Sequence, residues 1–360
     1  MLTQMKEKID QSLEAFLNKA YKDYRLDQID PILFQSIRDF ILRPGKRIRP
    51  LLLICSYKGY CRKNIRLSPS IYYVSTCIEL LHNFMLIHDD IIDRSELRRG
   101  KPTMHKMLEK AVKTSDRRRL GSDLSIVAGD IVYALAIDAF LSIHEERSRK
   151  ERALQYFIQT AVFTAMGEFI DTLHGVKALP QVAEADVFLN YSLKTARYTF
   201  DGPLVVGAIL AGAGEQDIRL LAELGLQIGQ AFQIQDDIIG VFGTQKAIGK
   251  SVLSDIAESK KTLLVCRAHS QLKGKEKTRF TEIFTKPKIT HKDLLAVRKI
   301  FIETGSLAYS LEHILARLRK AEAIFQQLQI KKQYRRYIEQ LLLQSFHQSR
   351  AVAEQNGLSF

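Results

Sequence analysis

The chain has 360 residues, of which 46% are hydrophobic and 26% charged; this excludes a disordered tail protein and leaves room for one large domain or two smaller ones. Its 54 lysines and arginines outnumber 40 acids by 14, which favours anionic partners in general: phosphate-bearing small molecules, lipid headgroups or nucleic acid. Cys55, Cys61, Cys77 and Cys266 lie in apolar surroundings without a CxxC pair or a histidine at zinc-ligand spacing, so they read as reduced core thiols rather than a disulfide framework.

Met5, Ile9, Leu13, Phe16 and Leu17 recur at helical spacing among charges, predicting a surface helix and not a leader peptide. No stretch approaches the ~20 apolar residues of a membrane span, and a soluble cytoplasmic protein is the default expectation. Apolar residues then recur every three or four positions through long segments that eight prolines and 19 glycines leave unbroken, which predicts an all-α fold. Connections are expected at 43–50, 94–102, 113–122, 176–185, 243–261 and 285–290. None has the long Gly/Ser/Pro-rich composition of a linker, so a single helical domain over 1–360 is expected. From Ser306 onward the pattern is helical and basic; Lys331, Lys332, Arg335 and Arg336 read as a solvated charged face.

Two acidic groups carry the chemistry. In LIHDDIID, Asp89 and Asp93 are one helical turn apart and Asp90 is beside them, so the carboxylates form a negative cluster that repels itself unless cations join it. Oxygen-only ligands suit Mg²⁺, which bridges carboxylates to phosphates; a helix end with solvated acids is the bland alternative. The second pair, Asp236 and Asp237 in GQAFQIQDDIIGVFG, emerges from an apolar helix where uncompensated charge is costly to bury. Metal ions held between two such helices would clamp a polyanion inside a bundle. Basic residues complement the acids: Lys46, Arg47 and Arg49 in GKRIRP, Arg98 and Arg99 in ELRRGKP, Lys250, Lys260 and Lys261. Forked guanidinium donors and mobile ammonium groups both suit phosphate oxygens.

From Pro44 to Ala308 these motifs resemble, in order, the trans-type isoprenyl diphosphate synthases, or polyprenyl synthetases: GKRIRP, LIHDDIID with RRGKPTMH, AGDIVYALA, GEFIDTLHG, LKTA, AFQIQDD and GKSVLSDIAESKKTLL. The remaining 309–360 is a basic helical extension. The resemblance implies an isoprenoid-synthase-type bundle around a central cavity. It also implies a prenyltransferase in which an allylic diphosphate ionises and its carbocation is attacked by isopentenyl diphosphate. By matching position, Asp89, Asp90 and Asp93 would hold two of three Mg²⁺ ions, and Asp236, with Asp237 beside it, the third. Arg98, Lys194, Lys250 and Lys260 would contact the allylic diphosphate, and Lys46, Arg49, His82 and Arg99 would bind isopentenyl diphosphate. Thr195 and Gln233 would turn oxygen dipoles toward the carbocation. For His82 taken alone, a structural histidine is the better reading.

The chain departs from the family pattern at Gly240, where many members have a third aspartate, and at Ser259, a common glycine position. Gly240→Asp is therefore expected to strengthen magnesium use. Phe84, five residues before Asp89, with Met85 and Leu81 beside it, would form a floor for the growing chain, in a pattern that resembles geranylgeranyl (C20) synthases. Farnesyl or C25 synthases, and a non-catalytic regulatory subunit of the same family, are the alternatives. Nucleic-acid binding has only the charge in its favour, with no aromatic platform. A homodimer is the family's usual state, and membrane contact is expected to be peripheral at most.

Overall fold

The structure, a computed structural model, describes residues 1–61, 70–243, 252–343 and 346–358. They fall into two compact units, each assembled from separate stretches of chain.

The first unit comprises Met1–Ile158, Pro203–Ile218 and Gln329–Ile338. Helix α1 (Leu2–Asp23) buries Met5, Ile9, Leu13, Phe16, Leu17 and Ala20, the single stripe that a 3.6-residue period allows, against α3 (Ile48–Tyr60) and α4 (Ser70–Ile92). Helix α2 (Pro31–Ile41) starts where Asp30 Oδ1 accepts the Ile32 N–H at 2.7 Å, with proline in the first turn, where a missing N–H costs nothing. Helix α4 packs along α6 (Arg117–Leu141), which also carries α5 (Met104–Ala111). The segment of α9 (Gly202–Ala211) in this unit is buried on every side, as an uninterrupted apolar sequence requires. Ahead of α3, Arg47 adopts φ 52°. Its buried guanidinium donates to Asp10 at 2.8 Å, to Glu79 at 2.5 Å and to the carbonyls of Ile41 and Arg43. Arg47 thus ties the loop before α3 to α1 and α4.

The second unit comprises Gln159–Gly202, Arg219–Leu328 and Glu339–Phe360. It holds the later part of α7 (Arg147–Val176), α8 (Glu184–Asn190), a π-helical run Tyr191–Asp201, and most of α10 (Glu215–Phe242). Then come α11 (Ser254–Ala257), α12 (Leu263–Gln271), α13 (Gly274–Ile283), α14 (His291–Glu303) and α15 (Ser306–Gln327). Helix α12 is the hub, contacting α8, α13, α14 and α15.

The all-helical expectation holds among the described residues apart from one short hairpin, Leu97–Arg98 paired with Lys101–Pro102. The connection expected over 113–122 is shorter than the sequence predicts, because α6 already begins at Arg117. The loop over 285–290 ends at the Thr290 cap, whose hydroxyl accepts the Asp293 N–H while Asp293 Oδ2 accepts the Thr290 N–H. Two expectations need correction. Lys331 is only partly solvated: its Nζ donates to the Lys58 and Cys61 carbonyls and so satisfies the end of α3. Helix α6 is, by length and composition, apolar enough to cross a membrane, with 44% of its most apolar 18-residue window buried; packing on α4 and α5 accounts for that buried face. Helices α16 (Lys332–Leu343) and α17 (His347–Gln355) end the described chain. In the second unit α17 packs on α15, and Ser349 Oγ donates to Gln235 Oε1 of α10 at 2.9 Å.

Candidate active site

In the first unit α4 delivers Asp89 and Asp90 in its last turn, and the Asp93 N–H closes on the Asp89 carbonyl at 2.8 Å. The hairpin then turns through Arg99 (φ 55°) and Gly100 (φ 74°), two successive left-handed residues as a tight I′-type turn needs. That reversal returns Arg98 to the acids: Nη2 donates to Asp89 Oδ2 at 2.7 Å and Nε to Asp90 Oδ1 at 2.8 Å. Asp90 is fully buried, and its Oδ2 has no hydrogen-bond partner among the described residues. Burial pushes its pKa up to about 6, against the lowering effect of Arg98. Asp93 is half-buried. An all-oxygen set with a buried, unsatisfied carboxylate oxygen fits a hard divalent cation.

A second cluster forms on the same unit. Arg49 Nη1 donates to His82 Nε2 at 3.2 Å. Burial first, then the charges of Arg49, Arg99, Arg98 and Arg47, hold the His82 pKa well below its usual value, so the ring is neutral and Nε2 is the acceptor. The Arg99 guanidinium lies over Gly45, where an added Cβ would meet Nη1 at 3.1 Å. Lys46 is exposed between Gly45 and Arg47. The predicted set Arg49, His82 and Arg99 is therefore brought together as a cationic patch.

Phe84 and Met85 are half-buried and Leu81 buried. Phe84 meets the His88 ring edge to face with centroids 4.7 Å apart and packs at a tilt on Tyr133 of α6 at 5.0 Å. Tyr133 was not among the predicted site residues; its position one turn after Gly129 in AGDIVYALA was the available signal.

In the second unit, close backbone approach sets the geometry. Gly225 and Gly229 of α10 lie against Asp201 and Ala196, where an added Cβ would fall 2.4 Å and 2.3 Å from the facing Cα atoms. Continuing the same four-residue stride, Gln233 meets Thr195 and Asp237 meets Tyr191. Thr195 Oγ1 donates to Gln233 Oε1 at 2.5 Å, Gln233 Nε2 to Asp237 Oδ1 at 3.0 Å, and the Tyr191 hydroxyl to Asp237 Oδ2. Asp237 is buried, and its pKa is pushed up to about 7 chiefly by desolvation. The adjacent Asp236 is exposed. The sequence treats the two as a buried pair; helical geometry instead points neighbours 100° apart, so only Asp237 is enclosed, and neutral donors compensate it.

At Gly167 an added Cβ would lie 2.4 Å from the Lys194 backbone N. This approach lets Lys194 Nζ reach Asp171 Oδ2 at 2.7 Å and Glu168 Oε2 at 2.9 Å of α7. Lys260 pairs with Glu258 at 3.0 Å and with Asp255 at 3.7 Å. Asp171, Asn190, Tyr191, Lys194, Gln233, Asp237 and Lys260 are among the residues lining a cavity of about 60 Å³. Asp171, Asn190 and Tyr191 were missed as site residues, although Asp171 belongs to the quoted GEFIDTLHG.

Gly240 corrects an expectation. An added Cβ there would lie 2.0 Å from Asp255 Oδ2, so Gly240→Asp meets an existing carboxylate by clash and like charge instead of adding a metal ligand. Lys250 lies outside the described residues.

A family model described as polyprenyl synthetase matches residues 30–301. The geranylgeranyl diphosphate synthase of Sulfolobus acidocaldarius is 33% identical over 72% of this chain and 74% of its own, and the geranylfarnesyl diphosphate synthase of Aeropyrum pernix is 33% identical over 74% and 78%. The crystal structure of geranylgeranyl pyrophosphate synthase from Corynebacterium glutamicum, complexed with isoprenyl diphosphate and magnesium, superposes with a TM-score of 0.89 at 26% identity, covering 97% of this chain and 99% of that one. The chain has the all-α isoprenyl synthase fold and belongs to the polyprenyl synthetase family. It is a trans-prenyltransferase.

The buried acid makes the metal-free protein pH-sensitive. Asp90 titrates near 6 when folded and near its ordinary 3.8 when unfolded, so the native state binds the extra proton between those values. Stability is therefore expected to fall by about 2 kcal/mol as pH rises from 4 to 6. Urea melts of wild type and Asp90→Asn across that range check this: only the wild type should carry the Asp90 share of the decline.

Proposed function

We propose that this chain condenses isopentenyl diphosphate with an allylic diphosphate and releases a short-chain prenyl diphosphate, chiefly the C20 product. The observation that carries the proposal is the set Asp89, Asp90 and Asp93 with Arg98 already turned onto two of them, a hard-oxygen site with a guanidinium at its edge. Asp89, Asp90 and Asp93 would hold two Mg²⁺ ions, and the exposed Asp236 a third. When bound, these ions neutralise charge developing on the departing diphosphate oxygens.

The chain's own residues do the rest. Arg98, Lys194 and Lys260 bind the allylic diphosphate, Lys194 exchanging Glu168 and Asp171 for phosphate oxygens. Arg49, Arg99 and Lys46 hold the diphosphate of isopentenyl diphosphate, with neutral His82 keeping Arg49 in place. Thr195 and Gln233 present oxygen dipoles that stabilise the carbocation without capturing it, and the departing diphosphate takes the proton lost from the new chain. Phe84, braced by Tyr133, blocks further elongation at C20; the C20 products named for similar synthases support this length.

A homodimer is part of the proposal. Val162, Met166, Phe169, Leu173 and Val176 leave one face of α7 exposed, alternating steps of four and three residues in the pattern of a helix seam that packs against another helix.

With magnesium, isopentenyl diphosphate and an allylic primer, purified protein should yield prenyl products identified by mass. Asp89→Ala or Asp236→Ala should each lower turnover at least 100-fold; rates within a few-fold of wild type would remove these acids from the metal site. Phe84→Ala should shift the product distribution beyond C20, and unchanged products would exclude it as the floor. In analytical ultracentrifugation wild type should sediment as a dimer and Phe169→Asp as a monomer; a dimeric variant would refute the α7 interface.

A further inference from the structure

We infer that Tyr191 is a positioning residue that fixes which end of the Gln233 amide faces the carbocation. The inference rests on the prenyltransferase reading above and follows from the direction of four hydrogen bonds.

The Leu263 backbone N–H, in the first turn of α12, donates to the Tyr191 hydroxyl oxygen at 3.0 Å. A backbone N–H can only donate, so it occupies an oxygen lone pair and leaves the phenol proton for another partner. That partner is Asp237 Oδ2, which accepts the phenol proton. Its other oxygen, Oδ1, accepts the Gln233 Nε2–H at 3.0 Å. With the amide nitrogen committed to Asp237, Gln233 Oε1 faces the opposite way and takes the Thr195 hydroxyl proton at 2.5 Å. Thr195 has spent its only proton, so it offers the cavity lone pairs alone.

The chain of donors thus runs one way, from α12 through Tyr191 and Asp237 to Gln233, with Thr195 donating into its end. Were the amide reversed, Nε2 would confront both Thr195 and the cation, replacing the negative end of a dipole with the positive. Tyr191 is buried and is anchored at both sides of its hydroxyl. Its hydroxyl bonds Asp237 and the Leu263 N–H and, among the described residues, none of the basic side chains assigned to the diphosphates, so its effect should reach the rate of ionisation and not substrate binding.

Steady-state kinetics with both substrates test this as a double-mutant cycle. Tyr191→Phe should lower kcat about 30-fold while KM for each substrate stays within three-fold. Gln233→Leu should lower kcat as much or more, and adding Tyr191→Phe to it should cost less than three-fold further. Additive losses, or a rise in KM at unchanged kcat, would overturn the assignment of Tyr191 while leaving the prenyltransferase reading intact; wild type without any prenyl product would sink that reading and the inference with it. If Tyr191→Phe does not fold, the wild type decides: NMR of the Gln233 side-chain amide, assigned by its loss in Gln233→Leu, should show slow exchange, whereas solvent-rate exchange would refute the Asp237 bond.

Discussion

The close approach of α10 to the π-helical run Tyr191–Asp201 is the constraint on which the polar cluster of the second unit depends. Gly225 and Gly229 remove the side chains that would keep the backbones apart, and the four-residue stride of an α-helix then carries Gln233 and Asp237 onto Thr195 and Tyr191. A second such contact, at Gly167, sets Lys194 within reach of two acids of α7. The precision of these polar contacts comes from backbone proximity, because short helix separations leave side chains few rotamers that avoid clash.

Charge is handled by enclosure and by partial pairing. In the first unit, Asp90 is buried with one oxygen bound to Arg98 and the other unmatched among the described residues, a local cost that a cation would relieve. In the second unit, Asp237 is buried but met by a phenol and an amide. The same residue type thus has two environments: one carboxylate with an oxygen left open among the described residues, the other met by neutral donors on both oxygens. The overall excess of 14 positive charges is also put to use locally, since Arg49 and Arg99 gather around a neutral imidazole whose protonation they themselves disfavour.

Much of the site was legible in the chain. The DDIID spacing predicted three acids at one helix end, and GKRIRP and RRGKP supplied basic residues that the fold does bring together as Arg49, His82 and Arg99. Periodicity gave the buried stripe of α1 residue by residue. Asp171 and Tyr133 lie inside quoted motifs, but their roles were not legible there, because the partners that define them, Lys194 and Phe84, stand on other segments. The effect of Gly240 was misjudged for the same reason: Asp255, fifteen positions later, already fills the space a side chain would need. Lys331 looked like surface charge because nothing local shows that it finds the last carbonyls of α3.

By itself the sequence determined the helical fold, the kinds of ligand its acids and bases suit, and the family to which it belongs, since periodicity and ordered motifs are local properties of the chain. Tertiary structure decided which of two adjacent aspartates is enclosed, which amide end faces the reaction, and which lysine is tied down. Those depend on helix separations of a few ångströms between segments distant in sequence, and hydrogen-bond direction is fixed only once every donor has found its acceptor.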